Sequence, residues 1–475
     1  MLPDDVLLEI FDLWRLNFGR HSNVVWQWHI LVRVCRRWRH ITFASPLRLN
    51  LQILCTYGSP VRKSLDIWPN FPIVIRYDVD RFGRPHGPVP TDEDNVIAAL
   101  EHTSRVCELR LVLRGSQLRR IATAIQEPFP ALTHLLLRSE DRNVPVLPDQ
   151  FLGRSAPRLQ ELRLNGIPFP ALPILLPSVN DLVILELYNI PETGYISPEV
   201  LVTGLATLTK LRDLSIGFRS PNSHPERVCL PPTARTVLPV LTSFEFQGDY
   251  GYLEHFAARI DAPQLHVITI CYLNQLVNVV NIDVPQLSRI VDHSEALKRP
   301  LCCCVTLRPE SISFIAFPGH PHKFDVPRPP LDIAFCIVCK GIDWQVSRLT
   351  QTLSQISAVP SNVVHLTLQS DFNPISPILN NVDDIEWLQL LNLFSSVRTL
   401  FLGEQLAWHV SHALQVIDDG MMATELLPAL DTLCVEGQFA SSVEKFIAAR
   451  RDSGRSVTFV NTETEFRERL NSLPV

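Results

Sequence analysis

The chain has no surplus of basic charge. Its 475 residues carry 43 Lys and Arg against 49 Asp and Glu, a formal net charge of −6. That argues against a nucleic-acid binder with a strongly basic surface, and no nucleic-acid partner is expected. Nor is there an unbroken apolar run of membrane-spanning length. The longest apolar stretch, Val267–Ile282, is interrupted by Thr269, Asn274, Gln275, Asn278 and Asn281. A span needs about 20 mostly apolar residues in succession, so no transmembrane helix is expected. The local signatures of common enzyme chemistries are missing too: no glycine-rich phosphate loop, Gly-x-Ser-x-Gly elbow, His-Glu-x-x-His pair or dinucleotide fingerprint. No catalytic residue and no cofactor is therefore expected. A secretory leader starts basic, whereas this chain starts with Asp4, Asp5 and Glu9. The 11 cysteines, an odd number, then read as reduced thiols of a cytoplasmic and/or nuclear protein.

The cysteines form no metal signature. Cys336-Ile337-Val338-Cys339 has metal-like spacing, but no second such pair or His pair follows. Structural zinc needs four converging ligands, and on a strand Cys336 and Cys339 would point to opposite faces. Cys302-Cys303-Cys304 reads as part of a buried strand, and His320 and His322 as loop residues flanking Pro321. No metal ligand is assigned.

What the chain has is apolar residues, 46% against 19% charged, and 38 prolines. This is the composition of a globular chain. The prolines stand before short apolar segments of the form Pro-x-Leu-x-x-Leu-x-Leu. Examples begin at Pro130, Pro157, Pro239, Pro263 and Pro428, and Leu208–Ile216 lacks only the proline. Pro285–Ile290 reads as a truncated copy. Anchors Leu109, Leu135, Leu162, Leu185 and Leu214 lie 26, 27, 23 and 29 residues apart. In each segment the Leu-x-Leu pair would face inward from a short strand, with the middle residue facing out. The outward set is Arg110, Leu136, Arg163, Glu186, Ser215, Glu245 and Thr269. One repeat cannot bury its apolar side, whereas a stack can. Helices are expected at Asn95–His102, Leu118–Gln126, Glu199–Ala206, Ile385–Leu393 and Ser442–Arg451. Strands are expected near Val305, Ile315 and Ala334–Val338.

The first 50 residues follow a different pattern. Pro3, Asp4 and Asp5 suit a helix start. Val6, Leu7, Ile10, Phe11 and Trp14 recur at helical spacing, and Leu31, Val34, Cys35, Trp38 and Ile41 form a second stripe. About 40 residues bury too little surface to be stable alone. Such faces need the rest of the chain or a second protein.

Leu2-Pro3, the set Val6, Leu7, Ile10 and Phe11, and Val34-Cys35-Arg36-Arg37-Trp38-Arg39 together resemble an F-box. The following Phe43–Leu49 is similar to the segment leaving the F-box in proteins abundant in mushroom-forming fungi. The span from Ile10 to Val34 is about nine residues longer than usual for this family, with a loop expected around Arg15–Val25. The repeats resemble leucine-rich repeats, lacking most of the asparagines that usually follow the strand. The resemblance implies an α/β fold: an F-box over 1–45, then an irregular leucine-rich-repeat solenoid over 46–465. It implies a non-enzymatic substrate receptor of a Skp–cullin–F-box ubiquitin ligase. Leu2, Pro3, Val6, Leu7, Ile10, Phe11, Leu31, Val34, Cys35 and Trp38 would bind the Skp-family adaptor, and through it a cullin. Arg110, Arg163, Glu186 and Glu245 are the candidates for holding a target protein. The alternative is a repeat scaffold that delivers no substrate.

Overall fold

A computed structural model of the chain describes residues 2–19, 28–56, 61–78, 90–220, 234–273, 283–298, 300–318, 333–338, 342–356, 358–371, 382–415, 426–436 and 443–461. It is mixed α/β, with mostly parallel sheets and no closed barrel among the described residues. The chain divides into two compact units, Met1–Tyr195 and Ile196–Val475.

The first unit opens with three helices, α1 (Asp4–Gly19), α2 (Leu31–Val34) and α3 (Arg36–Ala44). Parallel strands then follow in sequence order: β1 (Ile53–Thr56), β2 (Ile73–Asp78), β3 (Val106–Val112), β4 (His134–Arg138), β5 (Glu161–Asn165) and β6 (Ile184–Ile190). Helices α4 (Val61–Ile67), α5 (Pro90–Leu100), α6 (Gly115–Ala124) and α7 (Leu172–Leu175) lie in the connections. The alternation of the sequence is the alternation of the sheet. Leu109, Leu135, Leu162 and Leu185 stand abreast and buried, as do Leu111, Leu137, Leu164 and Leu187. Between those rows run Arg110, Leu136, Arg163 and Glu186 on the other face. Each buried leucine contributes about 1.5–3 kcal/mol of transfer free energy, so the two rows are a main source of cohesion.

The residue after the first leucine of each motif has a structural task. Its carbonyl accepts two N–H groups from the next strand. Thr133 O takes Gln160 N at 2.8 Å and Glu161 N at 3.1 Å, and Gln160 O takes Val183 N at 2.8 Å and Ile184 N at 3.0 Å. The bend before each strand is thereby tied to its neighbour, and no backbone donor is left unpaired there.

The second unit uses the same device. Arg212 O accepts from Thr242 and Ser243, Thr242 O from His266 and Val267, and Arg398 O from Asp431 and Thr432. Its strands are β7 (Asp213–Phe218), β9 (Ser243–Gly248), β11 (Val267–Tyr272), β12 (Cys302–Arg308), β13 (Ser311–Phe317), β14 (Ile333–Val338), β15 (His365–Ser370), β16 (Thr399–Leu402), β17 (Thr432–Val435) and β18 (Thr458–Asn461). A separate pair joins β8 (Thr236–Val237) to β10 (Ile260–Asp261). The helices are α8 (Pro198–Leu205), α9 (Tyr250–Ala257), α10 (Pro285–His293), α11 (Ile342–Gln355), α12 (Asp384–Asn392), α13 (Glu404–Gln415) and α14 (Glu444–Asp452).

Sequence order breaks at one place. β11 pairs in parallel with β14, not β12. β13 lies between β14 and β12 and runs antiparallel to both, and β12 pairs in parallel with β15. The three strands expected in this region are present, but as a reversed meander within an otherwise parallel sheet.

Three expectations need correction. Pro285–Ile290 is not a truncated repeat but the start of α10. Its Leu287, Ile290 and Val291 are buried at helical spacing, and Pro285 occupies the first turn, where its missing N–H costs nothing. The loop expected from Arg15 begins later, because α1 continues to Gly19; residues 20–27 lie outside the described residues. The second N-terminal stripe is not one helix. Cys35 is extended, at φ −158° and ψ 170°, and separates α2 from α3.

Candidate functional site

The N-terminal helices place apolar side chains on both sides. Asp4 and Asp5 occupy the first turn of α1, where acidic side chains complement the helix dipole. Leu7 and Phe11 then point inward and are buried, and Phe11 meets Trp38 of α3 edge-on at 4.8 Å. Leu31 and Ile41 complete this small core. Outside it, Leu2, just before α1, and Val6, Ile10 and Leu13 on α1 recur at i, i+4, i+8 and i+11, 52%, 40%, 44% and 61% exposed. Single exposed leucines are ordinary, but a continuous row of them on a soluble surface marks an interaction site.

The second half of this face comes from the α2–α3 junction. The Cys35 Sγ accepts from Trp38 N at 3.4 Å and so caps α3, leaving Val34 and Cys35 exposed. Arg37 donates to the Leu2 carbonyl at 2.5 Å and, through Nε, to Asp4 Oδ1 at 2.9 Å. These bonds draw the start of α3 beside the start of α1. Arg39 donates to Val32 O at 3.0 Å, and Arg48 pairs with Glu9. Arg37 and Arg39 thus lock the helices to one another. Burial, and then the charge of Arg33, lower the pKa of His29, so its ring favours the neutral form.

The ten residues assigned to adaptor contact therefore separate. Leu2, Pro3, Val6, Ile10, Val34 and Cys35 are exposed, and Trp38 is half-buried. Leu7, Phe11 and Leu31 are buried, so direct contact is not open to them. Their apolar character holds the helices together, and helical periodicity alone does not say which of two apolar stripes faces the core.

An aromatic cluster fastens this module to the first strands. Trp28 is buried, its Nε1 donates to Gln52 O at 2.7 Å, and its ring lies 5.1 Å from Trp68, 5.5 Å from Phe71 and 6.0 Å from Phe43. Trp28 stands outside both apolar stripes, so helical periodicity does not reveal it.

The residues proposed for target contact lie on the sheet faces opposite the leucine rows. Arg110, Arg163 and Glu186 share one row in the first unit, while Glu245 stands between Ser215 and Thr269 in the second. The first face carries charges of both signs. Arg76 and Arg110 both reach Glu108, at 3.0 and 2.7 Å, and Arg163 reaches Glu186 at 2.9 Å. The face is a network of ion pairs, not a field of one sign. Cys339, His320 and His322 fall outside the described residues.

Among the described residues no three His, Cys, Asp or Glu side chains gather as a metal site, and no helix is long and apolar enough to cross a membrane. No protein-family model matches the chain, and no curated protein matches it.

Proposed function

We propose that the chain is a substrate receptor that docks a Skp-family adaptor through its N-terminal helices. The observation that carries this reading is the exposed stripe Leu2, Val6, Ile10 and Leu13, joined by Val34. Val6, Ile10 and Leu13 lie on α1 outside the buried pair Leu7 and Phe11, with Leu2 just before that helix and Val34 on α2, so the module stays folded while the stripe is free to be covered. Burying five such side chains would supply several kcal/mol at about 25 cal/mol per Å², before the costs of association. The resemblance of Leu2–Phe11 and Val34–Arg39 to an F-box names the partner class.

In this reading the repeats, which resemble leucine-rich repeats, hold a target on the face that carries Arg110, Arg163 and Glu186 or on that carrying Glu245. The chain is non-enzymatic, and ubiquitin transfer belongs to a cullin-bound partner. Co-purification tests the reading. The tagged chain should retain a Skp-family adaptor and a cullin together, and an adaptor retained without cullin would make the chain a scaffold that delivers no substrate.

A further inference from the structure

The Cys-x-x-Cys segment directs attention to Cys339, but Cys336 has a nearer partner. β11 and β14 are adjacent parallel strands, and Cys271 and Cys336 are direct partners in their register. They are 65 positions apart in sequence. Both are half-buried, on the face opposite the buried Ile270, Tyr272, Phe335 and Ile337. Neighbouring strands lie about 4.7–4.9 Å apart, inside the roughly 4.4–6.8 Å between Cα atoms that a disulfide spans. The thiols hydrogen-bond to one another.

The surroundings make the two sulfurs unequal. Cys336 also accepts a hydrogen bond from Ser311, and the Arg308 guanidinium lies close enough to favour its thiolate. Arg308 is held there by Asp371, Nε to Oδ2 2.8 Å, and by Ser313, Nη1 to Oγ 3.1 Å. The bond from Cys271 is the largest influence and lowers the pKa of Cys336, against the effect of burial. Cys271 is raised, first because its proton is shared with Cys336, then by burial and by the charges of Cys336 and Glu245. The other buried thiols differ. Burial pushes Cys55 up to about 12, and Cys303 is raised well above its ordinary value.

We propose that Cys271 and Cys336 are a peroxide-reactive dithiol that closes reversibly into a cross-strand disulfide. The Cys336 thiolate attacks one peroxide oxygen; the S–O bond forms, the O–O bond breaks, and the leaving oxygen takes up a proton as water. Cys336 is then a sulfenic acid. The Cys271 sulfur attacks it, the S–S bond forms, and the hydroxyl leaves as a second water carrying the Cys271 proton. Two thiols and one hydrogen peroxide give one disulfide and two waters. Thiolates, not thiols, perform the first step, and a neighbouring thiol resolves the second. A linkage closed across two hydrogen-bonded strands departs from relaxed disulfide geometry, which leaves it readily reduced.

The test uses the full-length protein, reduced and then exposed to hydrogen peroxide, with alkylation of the remaining thiols and peptide mass spectrometry. The expected product is a Cys271–Cys336 linked peptide that dithiothreitol reverses. In Cys271→Ser, dimedone should label Cys336 as its sulfenic acid; in Cys336→Ser, labelling of Cys271 should fall at least about tenfold. The wild-type measurement needs no variant to fold. If it yields no 271–336 link, or links Cys336 to any other cysteine in preference, the proposal fails. The chemistry is independent of adaptor docking, so either reading can fail alone.

Discussion

Arg163 on β5 and Glu186 on β6 stand directly opposite one another, with Nη1 2.9 Å from Oε1. One position along each strand, Leu164 and Leu187 are paired in the same register with their side chains buried on the other face. The strands thus carry a partly exposed ion pair on one side and apolar cohesion on the other.

That contrast sets the first prediction. Leu164→Ala or Leu187→Ala should cost on the order of 2–5 kcal/mol. Arg163→Ala or Glu186→Ala should cost less than about 1 kcal/mol, with a coupling in the double variant of about 0.2–1 kcal/mol. Denaturant melts of the four single variants and the double variant check this; equal costs on the two faces would overturn the assigned register.

The second prediction concerns the join between the N-terminal helices and the strands. Trp28→Ala removes a fully packed ring and leaves Gln52 O without its donor, a loss of about 3–5 kcal/mol. Trp28→Phe keeps most of the packing and should recover the greater part. Thermal melts of the two variants distinguish packing from the hydrogen bond; no loss on Trp28→Ala would mean that the aromatic cluster is not the fastening.

The third rests on a cap supplied from a neighbouring helix. Glu254 of α9 accepts from Gln286 N at 2.9 Å and Leu287 N at 3.0 Å, where α10 begins without a cap of its own. Glu254→Ala should cost about 1–3 kcal/mol. Burial is the largest influence on this carboxyl and raises its pKa above the ordinary 4.5. The folded state therefore holds the proton more tightly than the unfolded state. The stabilisation linked to that proton is complete below 4.5 and is lost as pH rises through the raised value. Melts between about pH 4 and 8 should show this decline in the wild type and not in Glu254→Ala.

The fourth concerns a turn. Leu152, Gly153 and Arg154 all have positive φ, and a Cβ on Gly153 would lie 2.5 Å from the backbone nitrogen of Pro128. Gly153→Ala meets both left-handed strain and a backbone clash, and should cost more than the roughly 1 kcal/mol of an ordinary glycine replacement. A melting temperature equal to wild type would show that the turn relaxes freely.

Much of the fold could be read from local pattern. The strand anchors and their inward and outward faces follow from Leu-x-Leu alternation, which a single segment displays. The repeats that begin at Ser361 and Ser395 are harder to see because serine stands at the proline position and Val363 or Val397 at that of the first leucine, although Val364 O and Arg398 O make the same paired bonds. The inverted order of β12, β13 and β14, with β13 alone antiparallel, is not legible, since strand order depends on which distant segment pairs. For the same reason local spacing pairs Cys336 with Cys339 and not with Cys271, its partner in the sheet. In the N-terminal module periodicity marks helices but not their orientation, so it does not separate the buried Leu7, Phe11 and Leu31 from the exposed stripe. The break at Cys35 had no usual capping residue to announce it.

The most direct test of the account is capture by a Skp-family adaptor of three full-length variants, each with its melting temperature. Val6→Asp and Ile10→Asp alter side chains that the fold leaves exposed. They should abolish adaptor capture while shifting the melting temperature little. Phe11→Ala should lower the melting temperature through the lost contact with Trp38, and weaken capture only as the helices loosen. Undiminished capture by both Val6→Asp and Ile10→Asp would contradict the proposed docking face.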